Sequence, residues 1–336
     1  DIWVNTVSGE MYILTDATAG ENVWTNVGAG TGDVAPFHGA GQISGFSAGG
    51  YGGSPLANTN RIDKYSFTSN GNATDHGDIS TAHSNTSGSS STTHGYVAGA
   101  EPATVTIEKF SFAGSNVSTT DVGDLTVLRY GTTGCSSTTH GYSCGGRNPS
   151  STDINVIEKH SFSTDGNATD VGDMTIIRMQ ATGTQSTTHG HISGGDSRSG
   201  GSSVNTNRID KFSFSTDGNA TDLADLSVTR QGSGGHSSST HGYASGGHDG
   251  TTPFVNTIDK FSFAAGSNAT DVGDLTVARY LLSGTSSSTH GYSAGGYLGP
   301  NSDTIDKFPF ASDANATDVG NLTIARYALG NGSLQY

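Results

Sequence analysis

Five histidines stand at one position of a recurring Thr-His-Gly motif, and imidazole is a common protein ligand of transition metals. They are His94, His140, His189, His241 and His290. Successive members are 46 to 52 residues apart, which is a whole structural unit, so neighbouring imidazoles should lie too far apart to share an ion. We expect each histidine to order its own turn through a local hydrogen bond, and we predict neither a metal nor another cofactor.

A second recurring segment, Asp-Gly-Asn-Ala-Thr-Asp-Val-Gly-Asp, is rich in the oxygen ligands that calcium prefers. In one copy these are Asp165, Asn167, Asp170 and Asp173. The segment lacks the spacing and the terminal glutamate of an EF-hand loop, and Asx and Gly residues are what a tight turn requires. The turn also explains the repeated Asn-Ala-Thr, which would otherwise suggest a glycosylation acceptor. We therefore predict a structural turn.

The two cysteines of the chain, Cys135 and Cys144, flank a predicted turn at residues 138–141. The strands that carry them should pair antiparallel, so the two side chains could face each other. The sequence leaves two outcomes open, a cross-strand disulfide and a pair of buried thiols.

Charged residues recur with the same period. An acidic residue precedes a lysine in every copy, as in Asp210-Lys211, and an arginine ends the fourth strand of five copies, with His83 at that place in the first. Such periodic charges predict ion pairs between neighbouring units. No serine–histidine–aspartate arrangement or carboxylate pair departs from the repeat, as a single active site would require, so we predict that the protein is not an enzyme.

These motifs belong to an internal repeat of six copies. A double glycine marks each copy, with Gly-Ala in the second; the first residue of the pair is Gly49, Gly99, Gly145, Gly194, Gly246 and Gly295. Each copy has four short strand-like runs separated by turn residues, and none has a helical pattern. For the fourth copy we predict strands at 178–185, 190–194, 207–214 and 222–229. Four antiparallel strands per 40–50 residues are typical of a propeller blade.

The order Arg-Tyr, small-residue strand, Gly-Tyr-Ser-Ala-Gly-Gly and Ile-Asp-Lys-Phe resembles the kelch repeat over residues 41–336. That family has a double glycine closing its second strand and an aromatic residue in its third; its fourth-strand tryptophan is absent here. The Gly/Ser/Thr-rich style also resembles kelch-like propeller proteins of marine bacteriophages. The resemblance implies an all-β fold, a six-bladed kelch-like propeller of four-stranded antiparallel blades.

Residues 1–33 fall outside the repeat and predict a short N-terminal β-hairpin connector, with residues 34–336 forming the propeller. After the sixth copy the chain continues with what looks like a seventh first strand. We expect this C-terminal strand, at about 328–333, to close blade one. The competing interpretation uses Val34–Gly41 as that strand.

The loops between the second and third strands differ in every copy, whereas the turns at the opposite face are nearly uniform. Loops on a rigid scaffold commonly carry recognition, and aromatic and arginine side chains suit such contacts. Neutral drift of exposed loops is the alternative. Our ligand-binding candidates on this variable face are Tyr51, Arg147, Arg198, His248, Phe254 and Tyr297.

Composition excludes other classes of protein. The chain has 30 acidic and 15 basic residues and a net charge of −15, the reverse of a nucleic-acid binder. No apolar run approaches the roughly 20 residues of a membrane span, so we expect no membrane insertion.

The phage likeness implies a non-enzymatic virion structural protein, a tail-fibre or appendage module that binds a host-surface glycan or protein. Its partners would be other virion proteins and that receptor, and a homotrimer is an assembly that such fibres often adopt. The alternatives are an extracellular bacterial lectin or adhesin at the cell surface and, less favoured, a kelch-fold enzyme.

Overall fold

The computed structural model describes residues 2–4, 11–16, 23–26, 43–198, 201–251, 254–332 and 334. The protein is all-β, built from antiparallel sheets that follow one another along the chain. Nowhere in these ranges is there a helix long and apolar enough to cross a membrane.

Six sheets follow the six copies of the repeat, and we number them in chain order. Sheet one has three antiparallel strands, Ser44–Ala48, Arg61–Ser66 and Thr74–Asp78, and Val117–Ser118 adds a fourth strand that pairs parallel with the last of them. Sheet two has Ser87–Ser90, His94–Ala98, Thr104–Ser111 and Thr120–Arg129. Sheet three has Thr133–Ser136, His140–Cys144, Val156–Ser161 and Thr169–Asp173. Sheet four has Thr182–Gln185, His189–Ser193, Arg208–Ser213 and Thr221–Asp225. Sheet five has Gly234–Ser237, His241–Ser245, Thr257–Ser262 and Thr270–Asp274. Sheet six has Ser283–Ser286, His290–Ala294, Thr304–Pro309 and Thr317–Asn321.

The strands of sheet four lie where the repeat predicts them, but with shorter ends. The first begins at Thr182 rather than at residue 178, because Arg178 is buried in an ion pair and Gln180 has a positive φ of 51°. The fourth ends at Asp225 rather than at residue 229. Turn conformations of this kind leave no trace in the period-two pattern from which strands are read.

The strands become more exposed from first to fourth within each sheet. In sheets two to six every residue of the first strand is buried, whereas the fourth strand begins with two exposed residues. The first strands pack backbone against backbone, which explains their small residues. A Cβ atom at Gly134, Gly183 or Gly235 would overlap the carbonyl oxygen of the glycine at the same place in the preceding sheet.

Apolar side chains form six clusters, and each cluster joins two neighbouring sheets. Strand alternation sends Ile209 to the cluster between sheets four and five, while Phe212 enters the cluster between sheets three and four. The series also joins the last sheet to the first, since Tyr65 of sheet one and Ile305 of sheet six share a cluster.

Buried ion pairs also join neighbouring sheets, as the periodic charges predict. In each pair, an arginine at or just after the end of a sheet's fourth strand binds the acidic residue in the third strand of the next sheet. Both side chains are fully buried. The pairs are Arg129–Glu158 (3.2 Å), Arg178–Asp210 (2.8 Å), Arg230–Asp259, Arg279–Asp306 (2.9 Å) and Arg326–Asp63 (2.9 Å). Between sheets one and two, where His83 stands in place of the arginine, the Glu108 carboxylate keeps the hydrogen bonds from Ser80 that the equivalent acidic residues receive from their own Ser or Thr, and it accepts a further one from Thr119 Oγ1.

The N-terminal strands form a separate sheet. Ile2–Val4 and Met11–Asp16 pair antiparallel, with Trp3 opposite Tyr12, and Val23–Asn26 adds a third strand that the sequence did not suggest. The competing closing segment, residues 34–41, lies outside the described residues.

The C-terminal segment lies beside sheets one and two. Gly330 donates its amide to the carbonyl of Ala48 (3.1 Å), and Leu334 accepts a hydrogen bond from the amide of Phe46 (2.9 Å). Asn331–Gly332 pairs parallel with Ser87–Ser90 of sheet two. Leu334 is buried in the cluster between sheets one and two.

Candidate functional site

Six residues immediately before the first strands form a closed ring of backbone hydrogen bonds. Each amide donates to the carbonyl of the equivalent residue one sheet earlier, over 2.6 to 2.9 Å. Every member has a positive φ between 51° and 66°. The members of this backbone ring are Asn85, Gly131, Gln180, Gly232, Leu281 and Ala328. Because Asn85 donates to Ala328, the C-terminal segment supplies the last member and the ring closes on itself.

The six members of the backbone ring line a small central pocket of about 270 Å³, including its solvent-open mouth. Its wall is divided: Asn85, Thr86, Thr132 and Gln180 make one side polar, while Leu281, Leu282, Ala328 and Leu329 make the other side apolar. Its enclosed space of about 10 Å³ is no more than one water molecule needs, so the pocket alone holds no small-molecule ligand.

A second circle of residues surrounds the pocket on the same face. Each member of this circle directly precedes a member of the backbone ring or directly follows a double glycine (Gly-Ala in sheet two). The two kinds of residue pair by β-bridges, and the bridge always leads to the sheet whose first strand comes next in the chain. These pairs are Ser84–Glu101, Tyr130–Arg147, Met179–Asp196, Gln231–His248, Tyr280–Tyr297 and Tyr327–Tyr51. The variable loops begin at these bridges, so the two circles form the base of the variable face.

Aromatic side chains occupy one half of this face. We call six of them the aromatic arc: Tyr51, Tyr327, Tyr297, Tyr280, Phe254 and His248. Neighbouring ring centroids lie 5.6 Å (Tyr51–Tyr327), 5.3 Å (Tyr327–Tyr297), 5.9 Å (Tyr297–Tyr280), 4.7 Å (Tyr280–Phe254) and 5.5 Å (Tyr280–His248) apart. All six are half-buried. They belong to sheets five, six and one, beside the apolar wall of the central pocket.

The tyrosine hydroxyls of the arc differ from those of the core. The core hydroxyls of Tyr65 and Tyr292 bond Thr285 Oγ1 (2.8 Å) and the carbonyl of Phe67 (3.3 Å). Within the described part of the chain, the hydroxyls of Tyr280, Tyr297 and Tyr327 have no protein partner. Burial raises the pKa of both Tyr280 and Tyr327, with smaller contributions from neighbouring tyrosines, so both stay protonated hydrogen-bond donors at neutral pH.

The other half of the face is occupied by an ion-pair network. Arg147, expected to be available to a ligand, is 5% exposed, and its guanidinium bonds Asp153 (2.6 Å) and Asp196 (3.1 Å). Arg198 is partly exposed and lies 3.7 Å from Asp196. Arg147 is therefore already neutralised by the protein's own carboxylates, whereas the exposed Arg198 has only a long contact with a carboxylate that Arg147 already binds.

The turns at the opposite face are internally satisfied. Each repeated histidine ring bonds the hydroxyl of the preceding threonine, as His94 Nδ1 does with Thr93 Oγ1 (2.8 Å), which confirms the local role predicted from sequence. Each asparagine of Asn-Ala-Thr uses its side-chain oxygen to accept a backbone amide of the preceding sheet, as Asn167 does from Asp124 (3.0 Å). No group of three or more His, Cys, Asp or Glu side chains among the described residues could hold a metal ion.

Cys135 and Cys144 are both free and buried. The register places Cys135 opposite Tyr142 and Cys144 opposite Thr133, so the two thiols are offset diagonally by two residues. Burial raises the pKa of the Cys144 thiol to about 12 and that of Cys135 well above its ordinary value.

Of the six sequence candidates, the structure brings four together: Tyr51, Tyr297, Phe254 and His248. It also adds Tyr280 and Tyr327, which belong to the recurring Arg-Tyr segment and were not among the sequence candidates. A signal was present, because that position varies among copies as Ser84, Tyr130, Met179, Gln231, Tyr280 and Tyr327.

No protein-family model matches this chain, and no curated protein has significant sequence similarity to it.

Proposed function

We propose that the six sheets are the blades of a closed, six-bladed kelch-like β-propeller that acts as a recognition module and has no catalytic role. Residues 1–33 serve as a connector, and the C-terminal segment at about 328–333 closes blade one. The hydrogen-bonded backbone ring and the six inter-sheet clusters support this interpretation.

One observation carries the function: the repeated histidines and Asn-Ala-Thr asparagines of the uniform face are hydrogen-bonded within the protein, whereas the described variable face presents aromatic rings with unpartnered hydroxyls. A rigid scaffold that holds such side chains on variable loops suits binding. We infer a virion structural protein, a phage tail-fibre or appendage module, that attaches to a glycan or protein of the host surface through this face. A bacterial lectin or adhesin would use the same face.

Two measurements test this function. The full chain is applied to an array of bacterial surface glycans and to intact bacterial cells; we expect saturable binding to one or both, and binding to neither overturns the proposal. Antibody labelling of native material in negative-stain images then distinguishes a virion appendage from a cell-surface protein.

A further inference from the structure

The geometry points to a neutral saccharide as the ligand, stacked on the aromatic arc, with the hydroxyls of Tyr280, Tyr297 and Tyr327 as hydrogen-bond donors to it. This inference rests on the proposed binding role and specifies its ligand class and its contact residues.

The arc matches the chemistry of a sugar ring. A pyranose has an apolar face of C–H groups and an edge of hydroxyls, and a tyrosine pairs an apolar ring with a polar tip. Tyr280 and Tyr297 meet almost at right angles, with 86° between their ring planes, and Tyr297 and Tyr327 meet at 61°. Each pair of rings therefore forms a corner between two steeply inclined ring planes.

The free hydroxyls distinguish this surface from an ordinary apolar patch. A hydroxyl that reaches solvent is hydrogen-bonded by water, which a ligand can displace. The core hydroxyls of Tyr65 and Tyr292 find partners inside the fold, whereas no described residue bonds the hydroxyls of Tyr280, Tyr297 and Tyr327, and none of these three is a buried unpartnered atom. A protein partner could cover the rings, but a row of separate donors fits the many acceptors of a saccharide better.

The charges favour a neutral ligand over an acidic polysaccharide. The chain carries a net charge of −15, and Glu101 is close enough to Tyr327 to help raise its pKa. Arg147 and Arg198 stand in the other half of the face and are paired with aspartates. On the described part of this face a polyanion would therefore meet repulsion, with only the exposed Arg198, itself beside Asp196, to offset it.

The internal repeat provides a matched control for the test. Tyr130 holds the position equivalent to Tyr280 and Tyr327 and is half-buried like them, but it is bridged to Arg147 in the ion-paired half. Removing its ring should leave saccharide binding unchanged.

The experiment is affinity electrophoresis of the full chain, and it measures how far a polysaccharide in the gel retards migration. The gels contain a neutral polysaccharide (dextran, mannan, galactan or xylan) or an acidic one (alginate or hyaluronate). The variants are Tyr280→Ala, Tyr297→Ala, Tyr327→Ala and the control Tyr130→Ala, each checked for an unchanged melting temperature. Tyr280→Phe and Tyr327→Phe, which keep the rings, serve where an alanine variant unfolds. We expect retardation by at least one neutral polysaccharide, a tenfold or greater loss of affinity in the arc alanine variants, a smaller loss in the phenylalanine variants, and no change in Tyr130→Ala.

Four results overturn the inference, and one of them also overturns the proposed function. Undiminished neutral-glycan binding by the arc variants, or preference for the acidic polysaccharides, refutes the assigned ligand class or site while leaving the binding function intact. If no polysaccharide retards the chain, and protease treatment of the cells abolishes its binding to them, the receptor is a protein. That result also refutes the assigned ligand class and leaves the binding function intact. Absence of binding to glycans and cells alike refutes the proposed function as well.

Discussion

The backbone amide of Asn85 donates a 2.7 Å hydrogen bond to the carbonyl of Ala328, residues separated by 243 positions in the chain. This contact joins the segment before sheet two to the segment after sheet six. It completes the six-membered backbone ring and places Tyr327, the neighbour of Ala328, beside Tyr51 of sheet one. The scaffold and the aromatic arc thus depend on the same closure.

Loss of the C-terminal segment should open this closure. Deleting residues 328–336 removes the buried side chains of Leu329 and Leu334 and exposes the first strand of sheet one. Each lost leucine costs about 2–5 kcal/mol, so we expect a large fall in the melting temperature. Deleting only residues 335–336 is the control. Equal melting temperatures for the two deletions would contradict the closure.

The buried ion pairs should be sensitive to loss of one partner. Arg178→Met leaves the carboxylate of Asp210 buried beside Thr175, without its cation, which costs about 3–5 kcal/mol. The matched control is Arg208→Met, because Arg208 pairs with Asp222 at the surface and contributes at most about 1 kcal/mol. Urea unfolding measures both changes, and similar losses in the two variants would contradict the distinction between buried and exposed pairs.

Acid should destabilise the protein through its buried histidines. Burial lowers the pKa of His191 to about 3 and those of His160 and His236 to about 4. Because unfolding returns each to about 6.5, the unfolded state binds more protons below that pH. The stability is fully present above pH 6.5 and is lost as the pH falls toward 4, by about 2–3 kcal/mol per histidine at pH 4.5. Urea unfolding between pH 7 and pH 4.5 measures this loss.

His191→Phe isolates one of these contributions. Both ring nitrogens of His191 lack a hydrogen-bond partner, and the ring stacks on Phe263 at 4.6 Å, while Phe46 stands at the same position in sheet one. We expect the variant to be about 1 kcal/mol more stable at pH 7 and to lose less stability on acidification. A pH profile of His191→Phe that follows the parent protein would refute this assignment.

The two cysteines should behave as buried thiols. Their raised pKa values keep them protonated at neutral pH, and the thiolate is the reactive form. We expect negligible reaction with a thiol reagent in the folded protein and two reactive groups after unfolding in denaturant without reductant. No reactive group in denaturant would reveal the disulfide that the sequence left open.

Much of the sheet architecture could be predicted from the sequence, because its determinants are local and repeated. Double glycines, strand alternation around Ile209 and the arginine that ends each fourth strand recur six or nearly six times, so each copy corroborates the others. The proposed recognition surface is different, because it arises where the repeat is broken. Arg147 reads as a free cation in sequence, and only the fold shows that Asp153 and Asp196 enclose it. Tyr280 and Tyr327 become a site through β-bridges to loops of the following sheet, which are contacts that no local pattern encodes.

The most direct test of the recognition surface is a crystal structure of the full chain bound to the neutral oligosaccharide that it retains best. We expect the sugar rings to lie against Tyr280, Tyr297 and Tyr327, near the apolar wall of the central pocket. A saccharide bound at the uniform face, among the threonine–histidine turns, would contradict this placement of the binding site.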